Sequence, residues 1–238
     1  MCTLAWGHNT GRFWACFNRD EQHSRPEASL PEMTGKRGNR LVFARDPLGM
    51  GSWFVAAERG HAVALLNHHP EGWRMDVTYP KSRGQIVLEV AHAFNGDGID
   101  PLLQENSLRY YGPFHLFILG KSDSLAYTWD TSTLHEIARP PRFLTTSSIG
   151  QDAIISWRQR WWLEQTSGQE IDDEVAAEIL RQVNTENPAW GTTMDRSDAR
   201  TVSQIQLRME PTGFRFLYRQ RDPDGNGYLT PVSIDCRH

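Results

Sequence analysis

Short apolar runs punctuated by turn residues dominate the first half of the chain. Residues 2–7 and 12–18, holding Thr3-Leu4-Ala5-Trp6 and Phe13-Trp14-Ala15-Cys16-Phe17, flank His8-Asn9-Thr10-Gly11, and that arrangement predicts a hairpin. Residues 24–40 are polar and carry Pro26, Pro31, Gly35 and Gly38, so they read as a loop. Strand-like runs follow at Leu41-Val42-Phe43-Ala44, Trp53-Phe54-Val55-Ala56 and Ala62-Val63-Ala64-Leu65-Leu66, then at 114–119, 125–129 and 142–145. In 172–184, Val175, Ala176, Ile179, Leu180 and Val183 recur at helical spacing, behind Asp172, Asp173 and Glu174 at the positive end of the dipole. Residues 151–165 predict a second helix and 83–94 a third. Strands return at 200–208, 213–219 and 228–235. Strands first, helices inserted and strands last is an α+β pattern. No internal repeat or linker breaks it, so one domain over 1–238 is expected.

Composition narrows the function classes. The 238 residues are 39% hydrophobic, 23% charged and 11% aromatic, enough to bury a substantial core. With 25 Lys and Arg against 29 Asp and Glu, the net charge is -4, and nucleic acid is not the expected partner. No apolar run reaches the roughly 20 residues of a membrane span. The start lacks a basic region followed by an apolar one, and three cysteines make no disulfide framework, so a cytoplasmic location is expected. Oligomeric state is not readable.

Most chemical motifs are missing. There is no Cys-x-x-Cys, His-Glu-x-x-His or Gly-x-Ser-x-Gly. Asp222-Pro223-Asp224-Gly225-Asn226-Gly227 imitates a calcium loop, but its twelfth position is Ser233 and strands flank it, which makes it a hairpin turn. His68-His69 and the other histidines lack metal-ligand spacing. No metal and no cofactor is expected. Nine tryptophans are core by default, although such residues also line ligand pockets.

What remains is Cys2. Removal of Met1 would give one residue both a nucleophilic thiol and an α-amine, a base that titrates near pH ~8. The hairpin returns residues 17–19 beside it, followed by the polar run Asn18-Arg19-Asp20-Glu21. A carboxylate there can hold an α-ammonium and an arginine can favour a thiolate; alternatively the run simply leaves the sheet for solvent.

Met1-Cys2-Thr3 with Asn18-Arg19-Asp20-Glu21 and Arg25-Pro26 resembles the NRDE family, also called transport and Golgi organization 2. The resemblance continues through Ala44-Arg45-Asp46, Gly51-Ser52-Trp53, Leu66-Asn67, Ser82-Arg83-Gly84, Trp190-Gly191-Thr192 and Arg200-Thr201-Val202-Ser203. It implies kinship with N-terminal nucleophile (Ntn) amidohydrolases such as penicillin V acylases and bile salt hydrolases, hence a four-layer αββα sandwich. It also implies Cys2 as nucleophile and Asp20 as the carboxylate near its amine. Whether Asn18 or Arg19 takes the amidase arginine's role is left open. Asn67 matches one oxyanion asparagine, and Thr146 stands where the second belongs; Arg158 and Arg160 are candidates for a later amidase arginine.

Two functions follow from the resemblance. One is hydrolysis of a linear, non-peptide C–N amide through Cys2 after loss of Met1. The other is a non-catalytic carrier or chaperone for a hydrophobic ligand, lipid, acyl-CoA or haem. Elsewhere, Asp46 and Gly51 read as turn residues and Trp53 as core. Cys16 reads as a buried structural thiol, or as a redox partner if it shares the face of Cys2. Cys236 reads as incidental.

Overall fold

A computed structural model describes residues 2–9, 11–72, 77–94, 98–224 and 227–237. The chain forms two compact units, one built from residues up to 26 and from 141–237, the other from 27–140. Each has a sheet of its own.

The first unit opens with β1 (Cys2–Asn9) and β2 (Arg12–Gln22), antiparallel as the hairpin pattern requires. Its other elements need labels that follow the second unit's. In the second unit, β3 (Glu32–Thr34), β4 (Leu41–Phe43), β5 (Phe54–Ala57), β6 (His61–Asn67), β7 (Phe114–Gly120), β8 (Ser124–Trp129) and β9 (Leu134–Glu136) lie side by side in chain order. Between β6 and β7 come α1 (Arg83–Ala93) and the single turn α2 (Glu105–Leu108). Ile86, Val87, Val90 and Ala91 of α1 pack with Val55, Val63, Leu65 and Leu116 from one face of this sheet. Gly51 meets the start of α1 so closely that a Cβ would lie 2.2 Å from the Gly84 carbonyl carbon. Asp46 caps the preceding turn by accepting from the backbone of Leu48 and Gly49.

The first unit resumes with β10 (Phe143–Thr145), α3 (Gln151–Thr166), α4 (Asp173–Arg181), β11 (Ala199–Glu210), β12 (Gly213–Gln220) and β13 (Val232–Arg237). Its sheet runs β10-β1-β2-β11-β12-β13, antiparallel throughout. Ala5, Trp14 and Cys16 on one face pack with Trp162 of α3 and with Ala176, Ala177, Ile179 and Leu180 of α4. Asp172 caps α4 by accepting from the amides of Glu174 and Val175.

The differences from the sequence reading are local. The polar stretch at 24–40 contains β3, a short edge strand that leaves little periodicity to see. β9 and α2 are equally short and were not expected. The third helix and the helix at 151–165 form as expected, but α4 stops at Arg181 rather than 184. Gln182 is already extended there and Asn184 starts a turn, so Val183, expected in the apolar stripe, is 45% exposed. The calcium-like segment joins β12 to β13; Gly225 and Asn226 lie outside the described residues, and Asp222 N–H donates to the Gly227 carbonyl.

Candidate active site

Cys2 begins β1 directly opposite Arg19 on β2, and Thr3 lies opposite Asn18. Directly paired residues share a face, so Cys2 and Arg19 are on one side of the sheet and Thr3 and Asn18 on the other. Asn18, Arg19 and Asp20 are all buried: β2 carries the polar run through the sheet instead of out into solvent. Such burial is tolerated because the polar groups find partners.

Those partners sort the candidates. Asn18 uses both amide hydrogens on the backbone, donating to the carbonyls of Leu180 (2.8 Å) and Thr192 (3.0 Å), while its Oδ1 accepts from Gln204 Nε2 at 3.1 Å. Arg19 reaches Glu21 at 3.2 Å on its own face. Asp20 accepts through Oδ1 from the Thr201 hydroxyl at 2.6 Å, and its Oδ2 is buried with no hydrogen-bond partner among the described residues. Thr201 in turn accepts from the Met194 amide, so its proton is directed at Asp20.

Thr146 holds the other side of Cys2. Its hydroxyl oxygen accepts from the Cys2 nitrogen at 3.1 Å, and its own amide donates to the Cys2 carbonyl at 3.0 Å. The neighbouring Thr145 shares a 2.9 Å hydroxyl contact with Thr3 and accepts from Arg158 Nη1 at 2.9 Å. Arg158, on α3, is 1% exposed; it also donates from Nε to the Trp190 carbonyl at 3.0 Å and leaves Nη2 buried without a partner among the described residues. Trp190-Gly191-Thr192 therefore supports both Arg158 and Asn18 through two carbonyls.

The electrostatics follow from burial. Desolvation pushes the Cys2 thiol up to about 11, with the charge of Asp20 adding to the rise. Burial also lifts the Asp20 carboxyl above the usual range, against the opposing pull of the Arg158 guanidinium and the Thr201 hydroxyl. Burial lowers Arg158, and the charges of Asp20 and Cys2 resist that. The three groups thus sense one another inside one desolvated region of the first unit.

Asn67 ends β6 in the second unit, half-buried and paired with Phe114 on β7. His68 and His115 lie beside it with ring centroids 4.4 Å apart, and burial lowers both. Met1, whose removal the expected amidase chemistry would need, lies outside the described residues. Cys16 is on the face opposite Cys2, where its thiol donates to the Asp173 carbonyl at 3.3 Å; a redox pair with Cys2 is thereby ruled out by the alternation of β1 and β2. Arg160 is exposed. Thr201, Thr145 and Trp190 carry no chemical signature of their own in the sequence. Two of them do sit in segments that mark the family, Trp190-Gly191-Thr192 and Arg200-Thr201-Val202-Ser203. Among the described residues no cluster of three or more His, Cys, Asp or Glu side chains could hold a metal, and no helix is long and apolar enough to cross a membrane.

A mixed α+β chain with two antiparallel sheets and a buried cysteine opening its first strand has the fold of the Ntn hydrolases. Two variants of conjugated bile acid hydrolase from Clostridium perfringens superpose with TM-scores of 0.54 and 0.55 at 11% identity, each over 99% of this chain and 92% of that one. An N-acylethanolamine-hydrolyzing acid amidase orthologue from Caenorhabditis elegans superposes at 0.53 and 10% identity, over 87% of this chain and 92% of its own. At such identities the likeness is one of fold. In sequence, the Transport and Golgi organisation 2 profile matches residues 1–195, and the chain belongs to that family. No curated protein matches the sequence significantly.

Proposed function

We propose that the protein is an Ntn-type cysteine amidohydrolase that cleaves a linear, non-peptide C–N amide once Met1 is removed, in the cytoplasm, with residues 1–238 working as one functional domain. The observation that carries this reading is the buried Oδ2 of Asp20, unpartnered among the described residues and in the same desolvated region as Cys2. A buried orphan acceptor is costly, and an ammonium on Cys2 is a partner that would satisfy it. The structural neighbour named an acid amidase is consistent with that chemistry.

In this mechanism the thiol proton passes to the α-amine and sulfur attacks the carbonyl carbon. The tetrahedral oxyanion then collapses, the α-ammonium returns the proton to the leaving nitrogen, and an amine departs. Water hydrolyses the remaining thioester, releasing a carboxylic acid and restoring the thiol. Asp20 holds the ammonium, and Thr146 accepts another of its hydrogens. Arg19, on the face of Cys2, is better placed than Asn18 for the open arginine role; Asn18 serves as scaffold.

One observation favours the carrier reading. A thiol pushed up to about 11 stays protonated at neutral pH and is a poor nucleophile without a base. A chain that keeps Met1 would then hold a hydrophobic ligand without cleaving it.

The deciding experiment is intact mass with peptide mapping after brief exposure to a thiol-directed electrophile at neutral pH, followed by an amide library with Cys2→Ser as control. Loss of Met1 and labelling of Cys2 well ahead of Cys16 and Cys236 are expected. Retained Met1 with no preference for Cys2 defeats the amidase mechanism, and solvent extraction of a bound ligand would then support the carrier.

A further inference from the structure

Away from Cys2, the first unit has a cleft of about 230 Å³ between α3 and the segment after α4. Its wall is aromatic. Trp157 and Trp161 are one helical turn apart, so their indoles lie side by side, 10° from parallel with centroids 6.1 Å apart. Trp190 meets Trp157 edge-on at 6.4 Å, which fixes the Trp157 plane.

Apart from Val183, the segment that completes the lining is polar, and its turn is pre-formed. Asn184 accepts from the amides of Glu186 and Asn187, so the turn that presents Glu186 is held by its own side chain. Gly191 lets this turn close on the wall, because a Cβ there would lie 2.9 Å from the Asn184 nitrogen. Gln182 and Glu186 are exposed at the mouth. Among the described residues lining the cleft, Glu186 alone is ionisable, and no cation is present.

That composition selects by charge. An anion would find a carboxylate and no positive partner. A long apolar chain would find too small a space and an amide-lined rim. A cation would meet the electron-rich faces of two tryptophans and a carboxylate together. We propose that this cleft binds a small organic cation, an ammonium or quaternary ammonium group, seated on Trp157 and Trp161 and neutralised by Glu186.

The test uses the full chain, nitrogen-labelled, with choline chloride as probe and its uncharged carbon isostere as control. Choline should move the indole N–H signals of Trp157 and Trp161 with a dissociation constant of about a millimolar, and the isostere should bind at least about tenfold more weakly. Glu186→Gln, on an exposed turn, should weaken choline by about three- to tenfold, and Trp161→Ala should abolish the response. Equal binding of the isostere overturns the proposal, as does unchanged affinity in Glu186→Gln or the absence of shifts at both indoles. If Trp161→Ala does not fold, Glu186→Gln decides alone.

Discussion

Thr146 grips Cys2 twice, accepting from its nitrogen and donating to its carbonyl, at 3.1 and 3.0 Å. The donating contact uses backbone atoms, so only the accepting one can be removed by mutation. Thr146→Val keeps the shape and deletes the hydroxyl, leaving a buried N–H unmatched. It should cost about 1–3 kcal/mol in urea unfolding, whereas Thr146→Ser should cost less than about 1 kcal/mol. A loss larger for Thr146→Ser than for Thr146→Val would mean that the methyl group matters and the hydroxyl does not.

Asp20→Asn should separate stability from reactivity. Burial raises the Asp20 pKa above its unfolded value, so ionisation disfavours the fold and stability falls as pH climbs through that interval. Asparagine removes this loss and still accepts from Thr201. In the chain that keeps Met1 the variant should be at least as stable as the parent at pH ~7, while amide turnover in the Met1-free chain drops about 100-fold or more. Thermal melts across pH read the first effect; a large drop in melting temperature would contradict it.

Asn18→Leu should do the reverse. It strips three buried hydrogen bonds that tie β2 to α4, Thr192 and Gln204, for a cost of about 3 kcal/mol or more. In the fraction that remains folded, Cys2 should react with electrophile at the parent rate.

In the second unit, Glu58 gives an acid-side prediction. It is 3% exposed and accepts from Arg40 and from the amides of Gly38 and Arg40, which hold its carboxyl down to about 2. A lowered folded pKa contributes stability above the unfolded value of 4.5 that is lost as pH falls toward 2. Glu58→Gln should therefore be less stable than the parent by about 1–3 kcal/mol at neutral pH, and the two should converge near pH ~2. A gap independent of pH would assign the loss to packing.

Much of this was legible in the chain. The hairpin of β1 and β2 declared itself because its strands are long, apolar and separated by turn residues. The juxtaposition of Cys2 with residues 17–19 followed from counting back around that turn. What the sequence hid was direction. Asn18, Arg19 and Asp20 read as a single polar group, yet strand alternation sends Arg19 to the side of Cys2 and Asn18 to the side of α4. Thr201 was hidden for another reason. An ordinary threonine in an alternating strand becomes the partner of Asp20 only through a pairing that irregularly shifts register between Thr201 and Ser203. The early end of α4 escaped because Val183 fits a helical stripe numerically, while the following turn is set by the Asn184 side chain.

The first unit is discontinuous in sequence, and that imposes an order of events on the growing chain. Cys2 and Asp20 emerge from synthesis early, but the Thr146 clasp is 144 residues further along and the Thr201 partner of Asp20 is 181 residues beyond it. Contacts so distant form late, after long loops have closed. The intervening 27–140 unit can therefore collapse while the opening hairpin waits with its cysteine uncommitted. The thiol is set in its final surroundings only after Thr201 has been made, so a ribosome-bound fragment ending before β10 should carry a cysteine with ordinary solvent-exposed behaviour.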